Sequence, residues 1–327
     1  MTITQLEYTL AVAQHRHFGK AAASCHVTQP TLSMQLQKLE DELGVIIFDR
    51  SKTPIAVTVE GEVVIEQAKR IISEHKKLYS LLEESKEDLV GEFKLSIIPT
   101  LSPFVIPMFI KEFSEKYPNV KLIIKESVTE DIVQELEDGL IDAGILVTPL
   151  YNKQIEERHL YYEPFYLFTA RNHKLYEQVN IKEEYLNIDE IWLLNKGNCF
   201  RDQVLNICSR MRDNELQGNV TFESGNFETL KNLVLSGNGY TILPHMAVTQ
   251  ISSEYQDMVK NFADPIPTRE VSIVSTKNNV KQKILNALEE EILGVVPDDI
   301  RQISDREKAI IDITWFYFDQ PIQHIGY

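Results

Sequence analysis

The sequence predicts an α/β fold in which an N-terminal winged helix-turn-helix precedes a long linker helix and two small α/β lobes. Three observations carry this prediction. Residues 1–58 hold short helical patterns and then two β-like runs, residues 59–90 form one long proline-free helical pattern, and most of the remainder alternates strand and helix patterns. With 327 residues and 43% hydrophobic content, the chain is long enough for two or three packed domains.

The third helical pattern, TQPTLSMQLQKLEDELG, begins at Thr28. Thr28 can cap the helix N-terminus, and Pro30 falls in the first turn, where its missing N–H costs little. A short hairpin with a polar turn is expected to follow in VIIFDRSKTPIAVT. Leucines at steps of four, three and four form the predicted buried stripe of the helix: Leu32, Leu36, Leu39 and Leu43.

The polar face of this helix is suited to reading DNA, because an α-helix fits the major groove and its N-terminal side chains reach base edges. Basic residues on the hairpin could neutralise phosphates. The alternative is a solvated polar face. The predicted DNA-binding residues are Thr28, Gln29, Pro30, Thr31, Ser33, Met34, Gln35, Lys38, Arg50 and Lys52.

The formal net charge of −16 argues against nucleic-acid binding by the field of the whole chain. The acidity is concentrated beyond residue 90. Residues 1–90 hold 10 Lys and Arg against 13 Asp and Glu, whereas the remainder holds 23 against 36. The absence of an apolar run of 18 residues and of a signal-peptide pattern, together with only three cysteines, predicts a cytoplasmic protein without a membrane partner.

The linker pattern over residues 59–90 is typical of a dimerising helix. Its apolar positions alternate steps of three and four, and a helix this long usually has a partner. The alternative is packing against its own domain. The predicted contact positions are Ile65, Ala68, Ile72, His75, Tyr79 and Leu82.

The α/β part is predicted to divide into a first lobe, a second lobe and a return to the first. The expected bounds are residues 91–163, 164–267 and 268–303, and residues 304–327 form an aromatic tail that we expect to lie on the surface of its own lobe. Candidate strands are FKLSIIPT, VKLIIKES, IDAGILV, YEPFYLFTA, DEIWLLN, NVTFES, GYTILP and EVSIVST.

Two of the three cysteines lie nine positions apart in GNCFRDQVLNIC, where the apolar spacing predicts a helix. At about 1.5 Å of rise per residue their Cα atoms would be roughly 13 Å apart, and a disulfide needs them within about 7 Å. A bond between Cys199 and Cys208 would therefore require the helix to unwind. Free cysteines are often simply buried small hydrophobes, the assignment we make for Cys25.

The local sequence suggests different roles for the two thiols. Gly197 and Asn198 suit a helix start, where the macrodipole favours a Cys199 thiolate, and Arg201 adds a cation. A thiolate attacks peroxide to give a sulfenic acid, which a second thiol can condense with. Cys208, set among Leu205, Ile207 and Met211, is expected to be more buried and less acidic.

Residues 18–62 resemble the winged-helix signature of LysR-type transcriptional regulators. The resemblance lies in the Gln-Pro-x-x-Ser start of the third helix and in Leu-Gly-x-x-x-Phe-x-Arg before the wing. It implies a linker helix and a two-lobed effector domain like a periplasmic binding protein. It also implies double-stranded promoter DNA, a homodimer or homotetramer and RNA polymerase as partners. Many family members carry a basic residue in place of Met34.

The segments KGNCFRDQVLNIC, SIIPTLSPFVIP and SGNFETLKNLVLSGNGYTILP look like the OxyR group of peroxide-sensing LysR-type regulators, over about the first 300 residues. This implies hydrogen peroxide as effector, Cys199 as peroxidatic and Cys208 as resolving cysteine, a thiol reductant, and a place in the bacterial cytosol at the nucleoid. Asn198 stands where some relatives have His. The implied peroxide pocket comprises Thr100, Thr129, Asn198, Arg201, Asp202, Gln203 and Arg269.

Three functions are therefore weighed. The first is a transcription regulator of antioxidant genes that is triggered by peroxide. The second is a LysR-type regulator that senses a small metabolite or anion between its lobes and whose cysteines are incidental. The third is a thiol peroxidase. A thiol peroxidase has no use for a DNA-binding module, so we predict a transcription regulator. The chain has no Walker loop, G-x-G-x-x-G, H-E-x-x-H or G-x-S-x-G, and its eight histidines are scattered, so neither metal nor cofactor is expected.

Overall fold

The computed structural model describes residues 1–84, 89–208, 225–237, 239–301 and 308–311. It separates into an N-terminal unit, Met1–Asp88 with Asp138–Leu140, and a C-terminal unit, Leu89–Glu137 with Ile141–Tyr327. Among the described residues, no helix has the length and apolar character needed to cross a membrane.

The N-terminal unit has the predicted order of three helices, a hairpin and a long helix. Strands β1 and β2 pair antiparallel, Phe48 opposite Val57. The bounds are α1 Ile3–His15, α2 Phe18–Ser24, α3 Gln29–Leu43, β1 Phe48–Asp49, β2 Ala56–Val57 and α4 Val59–Glu84.

Helix α3 buries three of the four leucines of the predicted stripe, each fully. Leu43 is 40% exposed, and its predicted burial was wrong, because it lies in the last turn before Gly44 ends the helix at φ 70°. Glu40 is buried instead, and its Oε1 accepts hydrogen bonds from the backbone N–H groups of Ile47 and Phe48. This carboxylate therefore fixes the chain as it enters the wing. Thr28 is the N-cap residue as predicted, but its side chain makes no capping hydrogen bond.

The first half of α4 packs within its own unit. Ala68 and Ile72 are buried in the N-terminal core, and Ile65 packs against that core. The alternative reading, packing against its own domain, thus holds for these positions. The side chains of Tyr79 and Leu82 lie outside the described residues, and dimerisation by α4 stays a prediction.

Nine strands of the described residues form one sheet in the C-terminal unit. Along it the order is β4-β3-β5-β10-β6-β9-β7, with β11 beside β10 and β8 beside β6. The strands are β3 Gly91–Ile97, β4 Val120–Glu126, β5 Ala143–Thr148, β6 Ile155–Thr169, β7 Asn180–Ile181, β8 Tyr240–Pro244, β9 Val259–Phe262, β10 Ile266–Thr276 and β11 Lys308–Ile310. The helices are α5 Ser102–Lys116, α6 Thr129–Glu137, α7 Cys199–Ile207, α8 Phe227–Leu235, α9 His245–Thr249, α10 Gln282–Val295 and α11 Asp298–Arg301.

One predicted strand, DEIWLLN, was wrong. Residues Ile188–Glu190 form a 3-10 helix, and Ile191, which pairs with Tyr240, and Leu194 are isolated bridge residues rather than parts of a strand. The apolar side chains of this run are buried by packing rather than by a ladder, a case that a short apolar pattern does not distinguish from a strand. The predicted strand NVTFES and the aromatic tail after residue 311 lie outside the described residues, and the lobe boundaries at 163/164 and 267/268 stay predictions.

The sheet brings segments that are distant in sequence together at the carboxyl ends of β3 and β4. Strands β3 and β4 are parallel, Ile97 opposite Glu126, so the residues that follow both strands emerge at the same end. Strand β10 runs antiparallel to β6 and places Arg269 opposite Glu163. The loop carrying Thr100 therefore meets an arginine that is 169 residues away in sequence.

Candidate functional site

The cysteine helix begins as predicted from the sequence. Gly197 has φ 84°, a conformation that side chains rarely adopt, and Asn198 is the N-cap, its side chain accepting a hydrogen bond from the N–H of Phe200. Cys199 is the first helical residue and Cys208 the C-cap. The two thiols are free and stand at opposite ends of α7, so the geometric conflict inferred from the spacing holds in the folded chain.

A buried ion pair forms the base of the site. Arg269 and Glu163 are both fully buried, with Nη2 of the arginine 2.7 Å and Nε 2.8 Å from Oε2 of the carboxylate. The other carboxylate oxygen accepts the N–H of Met246. Arg269 Nη1 donates to the hydroxyl of Thr100 at 3.2 Å, and its guanidinium lies 5.2 Å from the centre of the Phe200 ring. Arg269 therefore holds the loop after β3 against the first turn of α7.

The environment of Cys199 opposes ionisation of its thiol, contrary to the sequence prediction. Burial raises the pKa of Cys199, and this effect outweighs the lowering by the Arg269 charge and the Thr129 hydroxyl. The charges of Glu130 and Asp202 raise the pKa further. Because the side chain is half-buried beside two carboxylates, the helix N-terminus alone does not produce a stable thiolate.

Among the residues that the structure describes, several buried side-chain oxygens after β4, in α6 and in α7 have no hydrogen-bond partner. They include the hydroxyls of Ser127 and Thr129 and one carboxylate oxygen of Asp202. The Thr129 hydroxyl lowers the pKa of Cys199, although its contact with the sulfur falls outside ordinary hydrogen-bond geometry. Unsatisfied buried polar atoms are costly and usually mark a place for water or a small ligand. The two hydroxyls can donate and accept hydrogen bonds, and the carboxylate oxygen can accept one.

Cys208 is buried, as predicted, with 8% of its surface exposed. Burial raises the pKa of its thiol to about 12. It stays a neutral thiol at physiological pH, and Ile207 beside it belongs to the same core. The predicted neighbour Met211 lies outside the described residues.

Two residues of the predicted pocket have their contacts elsewhere. Arg201 is buried and donates from Nη1 to the backbone oxygen of Leu194 at 2.7 Å, so the cation that acts on Cys199 is Arg269. Gln203 is fully buried and donates its amide to the carbonyl of Ile311 at 2.9 Å. The sequence assigned both by position after the cysteine, which does not determine where a helical side chain turns.

Sequence reasoning missed Glu163, Ser127 and Glu130. A signal existed for Glu163, because a carboxylate within the apolar strand pattern YEPFYLFTA requires a buried partner. Ser127 and Glu130 flank the predicted Thr129 and carry no separate signal. Arg269, one of the seven residues of the implied pocket, contacts Glu163, Thr100 and Phe200.

Asp202 makes the stability of the fold depend on pH. Burial raises the pKa of Asp202 to about 6. A carboxyl with a raised pKa in the folded state stabilises the fold below its unfolded value near 4 and loses this contribution as pH rises through about 6. We expect Asp202→Asn to flatten the pH dependence of the unfolding midpoint between about pH 4 and 6. We also expect it to move the pH midpoint of Cys199 alkylation downward, because it removes a negative charge. An alkylation midpoint that stays in place or rises would contradict the assignment, and Asp257→Asn, an exposed site, is the matched control.

The DNA-reading face of α3 is exposed at Thr28, Gln29 and Thr31, and Met34 is 62% exposed. Arg50 does not extend freely from the wing: its Nη2 donates to Glu40 Oε2 at 2.7 Å and its Nη1 to Ser33 Oγ at 3.3 Å. These two contacts hold the guanidinium against α3 between Ser33 and Glu40. The predicted DNA contacts of these side chains stay predictions.

Comparison with known families identifies the class of protein. The description "Bacterial regulatory helix-turn-helix protein, lysR family" matches residues 3–62, and "LysR substrate binding domain" matches residues 86–296. The chain therefore belongs to the LysR family of bacterial regulators, and the predicted fold class is confirmed. This is a family of transcription regulators rather than of enzymes.

Within this family the resemblance to the OxyR group is confirmed. The chain is 34% identical over 250 residues to the "Hydrogen peroxide-inducible genes activator" of Dickeya chrysanthemi, covering 76% of this chain and 81% of the relative. Identity to the "DNA-binding transcriptional dual regulator OxyR" of Escherichia coli is also 34%, over 76% of this chain and 80% of the relative. A solved structure of a full-length OxyR variant from Pseudomonas aeruginosa superimposes with a TM-score of 0.71 at 34% identity, covering 90% of this chain and 98% of that one.

Proposed function

We propose that this chain is a peroxide-responsive transcription activator in which α7 is the switch. The observation that carries the proposal is the placement of two free thiols at the two ends of one helix, one of them at a buried polar site. The relatives named above are described as hydrogen peroxide-inducible activators, and an OxyR mutant from Corynebacterium glutamicum, 26% identical with a TM-score of 0.58 over 90% of this chain and 92% of that one, is described as H2O2-bound.

Peroxide is held by the unpartnered oxygens. A peroxide oxygen accepts from the Thr129 hydroxyl, and its O–H groups donate to oxygens of Ser127 or Asp202. The Arg269 cation, already bound to Thr100, favours the thiolate form of Cys199 and the anionic charge that develops on the leaving oxygen.

The reaction proceeds in two steps. The Cys199 thiolate attacks one peroxide oxygen, the S–O bond forms, the O–O bond breaks, and hydroxide leaves and takes up a proton to become water. The Cys208 sulfur then attacks the sulfenic sulfur; the S–S bond forms, and the sulfenic oxygen leaves as water with the thiol proton. The disulfide reverts to two thiols by exchange with a cellular thiol reductant.

A small thiolate fraction suits a switch that should react with peroxide and not with weaker oxidants. Since burial raises the pKa values of both thiols, the resting chain reacts slowly with weak oxidants. Peroxide bound at the polar site is positioned beside the sulfur, and this positioning compensates for the small thiolate fraction.

The free energies of the two states are comparable. A disulfide that closes a loop of about ten residues contributes roughly 2–3 kcal/mol. Unwinding α7 breaks the packing of Phe200, whose ring lies 5.0 Å from both Phe165 and Phe227. Each such aromatic pair contributes about 0.5–1.5 kcal/mol beyond burial. One covalent bond is therefore sufficient to change which conformation is populated.

The protein acts as a homodimer or homotetramer in the bacterial cytosol, at the nucleoid. Refolding of the C-terminal unit would alter how the winged helix binds promoter DNA, and the bound protein would then recruit RNA polymerase.

The proposal is tested by mapping thiols with mass spectrometry before and after a brief, stoichiometric peroxide pulse. We expect one intrachain Cys199–Cys208 disulfide, with Cys25 reduced. If both thiols stay reduced, and a small anion stabilises wild type and the Cys199→Ser/Cys208→Ser variant equally, the metabolite-sensing function replaces this one.

A further inference from the structure

The segment after α11 adds a strand that lies beyond residue 296, where the family match ends. Strand β11 pairs in parallel with the first residues of β10, Lys308 opposite Ile266 and Ile310 opposite Thr268. The N–H of Ile311 then donates to the carbonyl of Thr268 at 2.9 Å. Thr268 directly precedes Arg269, so residues 308–311 are joined to the strand that carries the cation of the site.

The same segment is bonded to the cysteine helix. The carbonyl of Ile311 accepts a hydrogen bond from the side-chain amide of Gln203 at 2.9 Å, although 108 residues separate them. Gln203 is fully buried at the middle of α7, between the two cysteines. This bond exists only while α7 is helical at that position, because unwinding moves the Gln203 side chain.

Further contacts anchor the segment at both sides. The Lys308 ammonium lies 3.3 Å from the centre of the Tyr162 ring on β6. Ala309 lines a cavity of about 490 Å³ that is also lined by Ile207 and Cys208. Residues 308–311 thus touch the middle of α7 and border the cavity at its resolving thiol.

We propose that residues 308–311 form a C-terminal strap that holds α7 helical in the thiol state and thereby sets how readily peroxide converts the chain to its disulfide form. The inference rests on the proposed function. Disulfide formation needs the helix between residues 199 and 208 to open, and opening breaks the bond between the fully buried Gln203 amide and the carbonyl of the half-buried Ile311. The strap raises the free energy of the open helix and therefore slows condensation of the sulfenic acid with Cys208.

The test compares Ile311→Pro with Ile311→Val in the full chain. Proline removes the N–H that binds the Thr268 carbonyl, whereas valine keeps it and alters the side chain only slightly. A second pair compares a chain ending at Glu307 with one ending at Asp312, which retains the strap and keeps the Ile311 oxygen as a peptide carbonyl. Hydrogen exchange of residues 200–207 is measured in the reduced protein, and the rate of Cys199–Cys208 bond formation is measured after a peroxide pulse.

We expect exchange within α7 and the rate of disulfide formation to rise about fivefold in Ile311→Pro and in the chain ending at Glu307, the factor corresponding to one net hydrogen bond. The valine variant and the chain ending at Asp312 should behave as wild type. Equal exchange and equal rates within each pair would overturn the strap even where the disulfide forms. A chain that forms no disulfide would overturn the proposed function, while the exchange data, which need no peroxide, still decide on the strap.

Discussion

Cys199→Ser should abolish the peroxide response of promoter binding completely. A serine hydroxyl does not form the nucleophilic anion at neutral pH, so neither a sulfenic acid nor a disulfide can form. The substitution leaves one oxygen in place of sulfur at the first residue of α7, where Asn198 still caps the helix. We therefore expect wild-type folding together with loss of the response, measured as promoter binding or transcription before and after peroxide.

The companion variants separate the two sulfurs. Cys208→Ser should react once and stop at the sulfenic acid, which a dimedone-type reagent traps and mass spectrometry detects. Cys25→Ser is the matched control, since Cys25 packs against the core of the N-terminal unit and should respond as wild type. A Cys199→Ser protein that retains the full response would rule out the switch.

Arg269→Gln is expected to have the largest effect on stability. It leaves the Glu163 carboxylate fully buried without its charged partner, which costs about 3–5 kcal/mol when a buried ion pair is broken from one side. It also removes the cation that lowers the pKa of Cys199, so alkylation and peroxide oxidation of that thiol should be slower and their pH midpoints higher. Denaturant unfolding and the pH profile of alkylation measure the two effects.

Two further variants distinguish a loss of stability from a direct effect of Arg269 on the reactivity of Cys199. Arg171→Gln breaks an exposed pair with Asp257 and should alter neither quantity. In Glu163→Gln/Arg269→Gln both charges are gone, so most of the stability should return. Cys199 should nevertheless remain less reactive than in wild type. A double variant with wild-type reactivity would show that Arg269 acts only as a structural partner of Glu163.

The sequence was sufficient to predict features that depend only on residues close together in the chain. The leucine spacing of α3, the proline in its first turn and the Gly-Asn start of α7 depend on neighbouring residues, and each element begins where it was predicted. The end of α3 shows the limit, since exposure of Leu43 depends on where the core stops.

The pKa of Cys199 and the contacts of the site could not be predicted from neighbouring residues in the sequence. The helix N-terminus and Arg201 predict an acidic Cys199, but burial and two carboxylates determine the sign, and these come from the tertiary fold. Arg201 faces Leu194 and Gln203 faces Ile311 because side-chain direction on a helix depends on what packs beside it. The Glu163–Arg269 pair joins residues 106 positions apart, a separation across which spacing carries no information.

The sulfur atoms at the two ends of α7 can join only if the helix opens. Hydrogen exchange of residues 200–207, followed by mass spectrometry in the thiol form and in the disulfide form, measures this directly. We expect slow exchange in the thiol form and loss of the helical protection once the disulfide has formed. Unchanged protection in a chain whose Cys199–Cys208 bond is complete would show that the disulfide forms without opening of α7.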